Sequence, residues 1–361
     1  MSKCLICNND RSIPLKPSFN FVSSDIRKVK YRPNFFICEV CGCVQKKIDP
    51  SYVKNITKIY KDYVGFSKFN EIDQKKILNG SNSNRCEVLF KKFLNKKKYN
   101  NVLDYGSSNG AMLLPFIKSN KKLHATDLKC NLSNKILDAK NFIKFYPIKK
   151  FINSKKKYDL ITMIHVLEHL QEPKKILINL EKKISKNGII FVQIPNFLLN
   201  PYDLSVYDHT IHFDKSSITK LAEVSNLKIV KIDEKLMNGE FSIILKKTNK
   251  TIKSKKMKIL ILKKINIFKN LKKIVLKLNK IKNLSILGTS IASLFIAHNY
   301  KNNIQNFYDE DKSKIGKYYE GKKIRQLIKN DKKKIFLPFY DNKLYNIRKR
   351  LTKNYDYTLK C

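Results

Sequence analysis

The chain has 361 residues, enough for two or three domains, and a hydrophobic fraction of 42% that excludes a disordered polymer. Its formal net charge is +46, yet only seven of the 75 basic residues are arginine (11, 27, 32, 85, 325, 348 and 350). Lysine runs through every segment beside asparagine and isoleucine, so the charge reads as composition with a weak pull toward acidic partners, and a dedicated nucleic-acid surface is not expected.

The opening MSKCLICNND places cysteines where a secretion signal needs an apolar core, and no run approaches the ~18 apolar residues of a membrane span. A cytoplasmic location is expected, where disulfides are disfavoured and paired cysteines read as metal ligands. CLIC (Cys4, Cys7) and CEVC (Cys38, Cys41) form two knuckles, each able to present two thiolates to one tetrahedral zinc. Four unrelated reduced thiols, or a redox pair, are the plainer alternatives. Cys43 is a spare that could also replace Cys41. With no open coordination position, the zinc is expected to stabilise a small β module over residues 1–55.

Residues 46–95 read as helical and polar, with aromatics at IYKDYVGFSKF (59–69). From about residue 98, YNNVLDYGSSNGAMLLPFI (99–117) predicts a strand, a glycine turn and a helix. KLHATD (122–127), YDLITMIHV (158–166) and GIIFVQIPN (188–196) predict buried strands, and PKKILINLEKKI (173–184) a helix with Pro173 in its first turn. Such alternation predicts an α/β fold with a parallel sheet covered on both faces. After a helix at 215–225, LKIVKID (227–233) and EFSIILKK (240–247) flank an Asn-Gly hairpin signal, so the sheet ends in an antiparallel pair.

Residues 251–283 interleave lysine with isoleucine and leucine, as in a linker helix packing an apolar stripe or a helix lying on a membrane surface. A second, smaller α/β unit follows from 284, with LSILGTSIASLFIAHNY, KKIFLPFY (333–340) and a helical YNIRKRLTKNY. Gly288 there lacks a full nucleotide fingerprint, and YDED (308–311) is either a ribose-binding acid or a solvated turn.

LDYGSSNG (103–110) lets backbone approach a ligand between the first strand and its helix, with Gly106 and Gly110 in G-x-x-x-G spacing. That is neither a G-x-G-x-x-G fingerprint nor a P-loop. Asp127, ending the second strand, stands where an acid can hold ribose hydroxyls, and Asp104 where it can orient the loop and meet a cationic ligand end.

VLDYGSSNG, ATD, DLITMIHVLEHL and the terminal hairpin together resemble a class I S-adenosylmethionine-dependent methyltransferase. Nearly the whole chain is similar to the three-part sugar methyltransferases, which join a four-cysteine zinc module, a methyltransferase domain and a C-terminal Rossmann-like domain. The resemblance implies boundaries at 1–55, 56–250 and 251–361, and S-adenosylmethionine and structural zinc as cofactors. Some members C-methylate nucleotide-linked 4-keto-deoxysugars. On this resemblance Asp104, Gly106 and Gly110 line the cofactor's amino-acid and ribose end, Asp127 holds the ribose, His165 reaches the cofactor, and His169 faces the substrate. A helix-start histidine bonded to backbone is the plainer reading of His169.

VYDHTIHF (206–213) follows the fifth strand, where loops line the ligand crevice. Asp208-His209 looks like the Glu-His of the family's Tyr-x-Glu-His stretch, although Tyr207 here directly precedes the acid. Carbon methylation beside a ketone needs a base for the α-proton and a donor for the enolate. His209 is the candidate base, with Asp208 to orient it and Tyr207, Tyr63 or His169 to face the oxyanion. The plainer alternative is a capping loop, with Asp214 or Ser216 capping the next helix while His212 and Phe213 pack beneath. The leading expectation is C-methylation of a nucleotide sugar in glycan or natural-product synthesis. O- or N-methylation of another small metabolite comes second, and an RNA-binding or RNA-modifying role last.

Overall fold

Five parallel strands and a hairpin build the central sheet: β1 (Asn101–Tyr105), β2 (Lys122–Asp127), β3 (Phe142–Pro147), β4 (Tyr158–Ile164), β5 (Ile184–Pro195), β6 (Leu227–Asp233) and β7 (Glu240–Lys247). The order is β3-β2-β1-β4-β5-β7-β6, with β7 antiparallel to both neighbours. The architecture is thus the α/β class I methyltransferase sheet expected from the sequence, terminal hairpin included. The coordinates are a computed structural model that describes residues 3–63, 75–78, 81–95, 99–248, 260–327, 335–340 and 347.

The buried strands carry near-continuous apolar runs because helices cover both faces; Ile189–Val192 of β5 are fully buried. Strand order reverses at β1 and β4, so a crevice opens beyond their carboxyl ends, the usual ligand position in an open α/β sheet.

The N-terminal module is a sheet of Ser12–Leu15, Phe35–Cys38 and Val44–Lys46, completed by Ile211–His212 from the loop after β5. Residues 211–212 pair with 44–45, so the module and that loop are one hydrogen-bonded unit. Helix Pro50–Lys61 follows, capped by Asp49, which accepts from Tyr52 N at 2.9 Å.

Two elements differ from the helices expected in the sequence. Between 46 and 95, strands Lys75–Leu78 and Ser81–Asn84 pair as a hairpin before the helix Arg85–Leu89. The signal was Asn79-Gly80 between them. After β1, the expected helix is a 3-10 segment, Ala111–Phe116, because Pro115 cannot supply the next backbone donor.

The C-terminal unit has parallel strands Ser285–Leu287, Phe307–Tyr308, Lys322–Arg325 and Ile335–Phe336. The linker forms helix Ile261–Leu278, whose Phe268, Leu271, Ile274 and Leu278 are buried. Phe268 and Phe295 each stand 5.4 Å, ring to ring, from Phe19, so both ends of the chain share a core. The closing YNIRKRLTKNY lies outside the described residues, apart from Ile347. Among the described residues no helix is long and apolar enough to cross a membrane.

Candidate active site

The turn after β1 alternates in backbone handedness: Gly106 (φ +74°), Ser108 (φ +46°) and Gly110 (φ +83°) all lie in the left-handed region. The glycines serve two purposes. A Cβ on Gly106 would sit 2.4 Å from Val166 Cγ2, so only glycine lets the loop after β4 close on it. A Cβ on Gly110 would meet Ile136 at 2.8 Å, so Gly110 packs beneath residues 132–136 and does not line the cavity. That corrects the cofactor-lining expectation for Gly110.

The turn forms one wall of a cavity of about 590 Å³, with Asp104, Gly106, Ser107 and Asp127 on that side. His165, Val166 and His169 form the adjoining wall, and Ile56, Tyr60, Tyr63 and Arg85 come from the segments preceding β1. Asp127 accepts Ser108 N–H at 2.7 Å and Leu128 N–H at 2.6 Å, one on each oxygen, and so fixes the turn to the end of β2. Asp104 is buried, and burial pushes its carboxyl up to about 7 although Thr162 donates to it at 2.6 Å. Ser107 Oγ is buried without a partner. An acid at the ribose position, a second acid short of positive charge and an open polar loop fit a cofactor with hydroxyls and an ammonium group.

His165 has φ +53°, uncommon for a side-chain-bearing residue. Its Nδ1 meets Glu168 at 3.1 Å, and its Nε2 faces Glu240 at 3.3 Å. Burial and Arg85 oppose protonation, but the two carboxylates hold its pKa above the ordinary value. Glu240 also pairs with Arg85 at 2.8 Å and accepts from Gln193 at 2.7 Å, so a buried network braces this wall.

Residues 79–232 match a family model described as a methyltransferase domain. That segment is a methyltransferase domain on a class I sheet, which makes the protein an S-adenosylmethionine-dependent methyltransferase. Among solved structures it is similar to the CcbJ methyltransferase from Streptomyces caelestis, at 13% identity and TM-score 0.38 over 45% of this chain and 94% of that one. It is also similar to an S-adenosylmethionine-dependent methyltransferase from Clostridium acetobutylicum, at 13% identity and TM-score 0.38 over 55% and 98% of the two chains. No curated protein matches it.

Behind the cavity lining, the methyltransferase holds two aspartates that between them face three histidines, and the pairings differ from the expected ones. His209 Nδ1 lies 2.6 Å from Asp203, not beside Asp208. Asp203's second oxygen takes His212 Nδ1 at 2.5 Å. Burial would raise the Asp203 pKa, but His212 and His209 hold it well below the usual carboxylate range. Asp208 belongs to His169: its backbone oxygen is 3.0 Å from Nδ1 and its carboxylate 3.4 Å. Burial works against charge on both, and their attraction lowers the Asp208 pKa and raises that of His169. Asp208 also accepts Ser24 N–H at 2.8 Å, and Ser24 Oγ stands 3.0 Å from the Tyr63 hydroxyl. Tyr60 reaches His169 Nδ1 at 2.9 Å.

His169 and Tyr63 line the cavity, whereas Asp208 and His209 stand directly behind, with the His209 ring edge-to-face on His169 at 4.6 Å. Tyr207 does not face the cavity. One position along an extended loop it points the other way, packs on Tyr52 at 5.3 Å and takes an Asn55 hydrogen bond at 3.2 Å. The capping alternative is also realised, since Asp214 accepts from Ser217 N in a capping box. His212 is fully buried, and burial with Lys46 nearby pushes its pKa down to about 4. Asp203, Tyr60, Ser24, Arg85 and Glu240 escaped the sequence reading. Asp203 lay six residues before His209, Tyr60 inside the aromatic stretch 59–69 and Glu240 at the start of the last strand, but none carried a signal of its own.

The four cysteines of the two knuckles bring their sulfurs within 4.8 Å of one another, and Gln45 Nε2 donates to Cys4 Sγ at 3.1 Å. An amide donor aimed at a sulfur suits a thiolate, and four converging sulfurs suit a tetrahedral ion. Cys43 is fully buried outside this set, its sulfur 3.7 Å from the Val44 carbonyl. Glu168, His169 and His209 also bring one donor atom each within 4.8 Å of one another. In the C-terminal unit Asp309 accepts Thr289 N at 3.0 Å and Thr289 Oγ1 at 2.6 Å, closing the Gly288 turn on itself.

Proposed function

We propose that this methyltransferase C-methylates a nucleotide-linked keto-deoxysugar, acting in the cytoplasm in glycan or natural-product synthesis. The observation that carries the reading is the His209–Asp203 pair at 2.6 Å, set behind a cavity-lining histidine. A carbon beside a ketone, or a hydroxyl, must lose a proton to a placed base before it can take a methyl group. Bound S-adenosylmethionine supplies an activated electrophilic methyl group. The chain's tasks are then alignment and proton removal. Asp127 accepts the ribose hydroxyls, Asp104 meets the ammonium end, and Gly106 and His165 shape the wall between them. His209 Nε2, one ring behind the cavity lining, takes the α-proton through an intervening water, while His169, kept protonated by Asp208, donates to the enolate oxygen with Tyr63 and Tyr60 beside it.

Incubation with nucleotide-linked 4-keto-6-deoxysugars in D2O, without cofactor, tests the reaction type. Deuterium should enter the carbon beside the ketone faster than in enzyme-free controls, and His209→Asn should abolish the excess. Absence of excess exchange, together with a methylated oxygen or nitrogen in the turnover product, would overturn it.

Asp104 predicts a pH dependence for cofactor binding. Its pKa in the free protein is raised to about 7, and an ammonium beside it favours the ionised form. Binding should therefore be full above that pH and weaken as pH falls through it, by up to about tenfold per unit. Calorimetry between pH 5.5 and 8.5 checks this; a flat affinity separates Asp104 from the ammonium.

We assign structural zinc to Cys4, Cys7, Cys38 and Cys41, supported by the convergence of their sulfurs. Chelation should release about one zinc per chain and lower the melting temperature by roughly 5 °C or more. An unchanged melt in metal-free protein, verified by elemental analysis, would remove zinc from the account. The C-terminal unit shapes the substrate side of the cleft, where Tyr340 packs against Gly239 of the β6–β7 connection.

A further inference from the structure

Gln45 and Lys46 are neighbours on the strand Val44–Lys46, and both are fully buried. Gln45 faces the cysteine cluster, donating to Cys4 Sγ at 3.1 Å and accepting Leu5 N–H at 2.9 Å. Lys46 points the other way, into the loop after β5. Its Nζ donates to the carbonyls of Val206, at 2.5 Å, and of His209, and lies 3.3 Å from His212 Nε2. Its backbone N–H bonds Thr210 O at 2.9 Å. A lysine head buried without a full carboxylate contact is costly, so its placement calls for a reason.

The hydrogen-bond directions supply one. Asp203, ionised, can only accept, so His212 carries its proton on Nδ1 and its Nε2 is left to accept from Lys46 Nζ. That proton goes to one oxygen of Asp203, whose other oxygen faces His209 Nδ1. The same carboxylate accepts on its other oxygen, so His209 too carries a proton on Nδ1. The same ammonium grips the His209 carbonyl, fixing the backbone beneath the ring. Phe35 seals the arrangement, stacking on His212 at 5.4 Å with Lys46 Nζ 5.0 Å from its ring centre.

We infer that Lys46 is a positioning residue: by holding His212 Nε2 and the His209 carbonyl, it keeps both imidazoles on Asp203 with Nδ1 inward, and so makes the cysteine module a buttress of the reaction site. The module's sheet is continuous with that loop through the 44–45 and 211–212 pairing, so ordering the knuckles orders the histidines. The tautomer clamp stands on its own geometry; its effect on turnover rests on the proposed role of His209 as base.

Long-range 1H–15N spectra of 15N-histidine-labelled, full-length protein, assigned with His209→Asn and His212→Asn, read the tautomers directly without substrate. The unaltered protein should show His209 and His212 protonated at Nδ1. Lys46→Met should convert His212 and broaden or shift His209, while S-adenosylmethionine binding by calorimetry stays within about threefold. His212→Asn, which keeps the lysine's carbonyl bonds, should release His209 alone if Lys46→Met does not fold. Nε2-protonated His209 in the unaltered protein, or a His209 signal unmoved in whichever variant folds, overturns the clamp. Altered tautomers with undiminished turnover would uphold the clamp and dismiss His209 as base. The expected turnover loss is on the order of 10- to 100-fold in kcat, with KM little changed.

Discussion

Asp127→Ala is expected to weaken S-adenosylmethionine binding on the order of 100-fold, the loss of roughly 2–3 kcal/mol of charge-assisted hydrogen bonding to ribose hydroxyls. The carboxylate lines the cavity at the end of β2, and each oxygen also accepts one backbone N–H, at 2.7 and 2.6 Å. Those bonds leave each oxygen a second lone pair directed outward. Burial raises the Asp127 pKa and the two N–H donors lower it, a balance that the hydroxyl groups of a ligand would tip toward the ionised form. Asp127→Asn should be milder, since the amide retains one acceptor. Calorimetry on both variants is the measurement, with circular dichroism to confirm the fold. Wild-type affinity in Asp127→Ala would remove this cavity from the cofactor's path.

How much of this was legible in the sequence follows the range of the interactions. Four of the five parallel strands, the terminal hairpin and the glycine turn are local matters of apolar run, Asn-Gly and handedness, and each was readable from a short window; β3 (Phe142–Pro147), whose run is broken by Lys144, was not. The hairpin of Lys75–Leu78 and Ser81–Asn84 had a local signal too, masked by polar residues without alternation. The active-site pairings were not local. Asp208 stands beside His209 in the chain, yet adjacent residues in an extended loop point to opposite sides, so it meets His169 and Ser24 instead. Asp203 reaches His209 because the 3-10 turn Pro201–Ser205 folds it back across the loop. Lys46 looked like one more lysine in a chain with 75 basic residues, and no composition argument separates the buried one from the rest.

Asp203→Asn should cost more turnover than any change in the loop other than loss of His209 itself, on the order of 10²- to 10⁴-fold in kcat, with cofactor affinity retained. An asparagine has one acceptor oxygen and an NH2 group, so it cannot accept from both His209 and His212. One imidazole must then flip or move its proton, and an Nε2-protonated His209 can no longer take a proton from substrate. The carboxylate also balances the charge that His209 gains when it acts, and at 2.6 Å inside the protein that is a strong effect. Asp203→Ala would add a cavity and unpaired imidazole donors, so destabilisation would mix with the chemical effect. Single-turnover kinetics with saturating S-adenosylmethionine, at matched fold and binding, isolate the chemical step. A kcat within threefold of the unaltered protein would mean that the Asp203 pair is only a structural clasp, and among the described residues His169 with Asp208 would then be the Asp–His pair left to remove the proton.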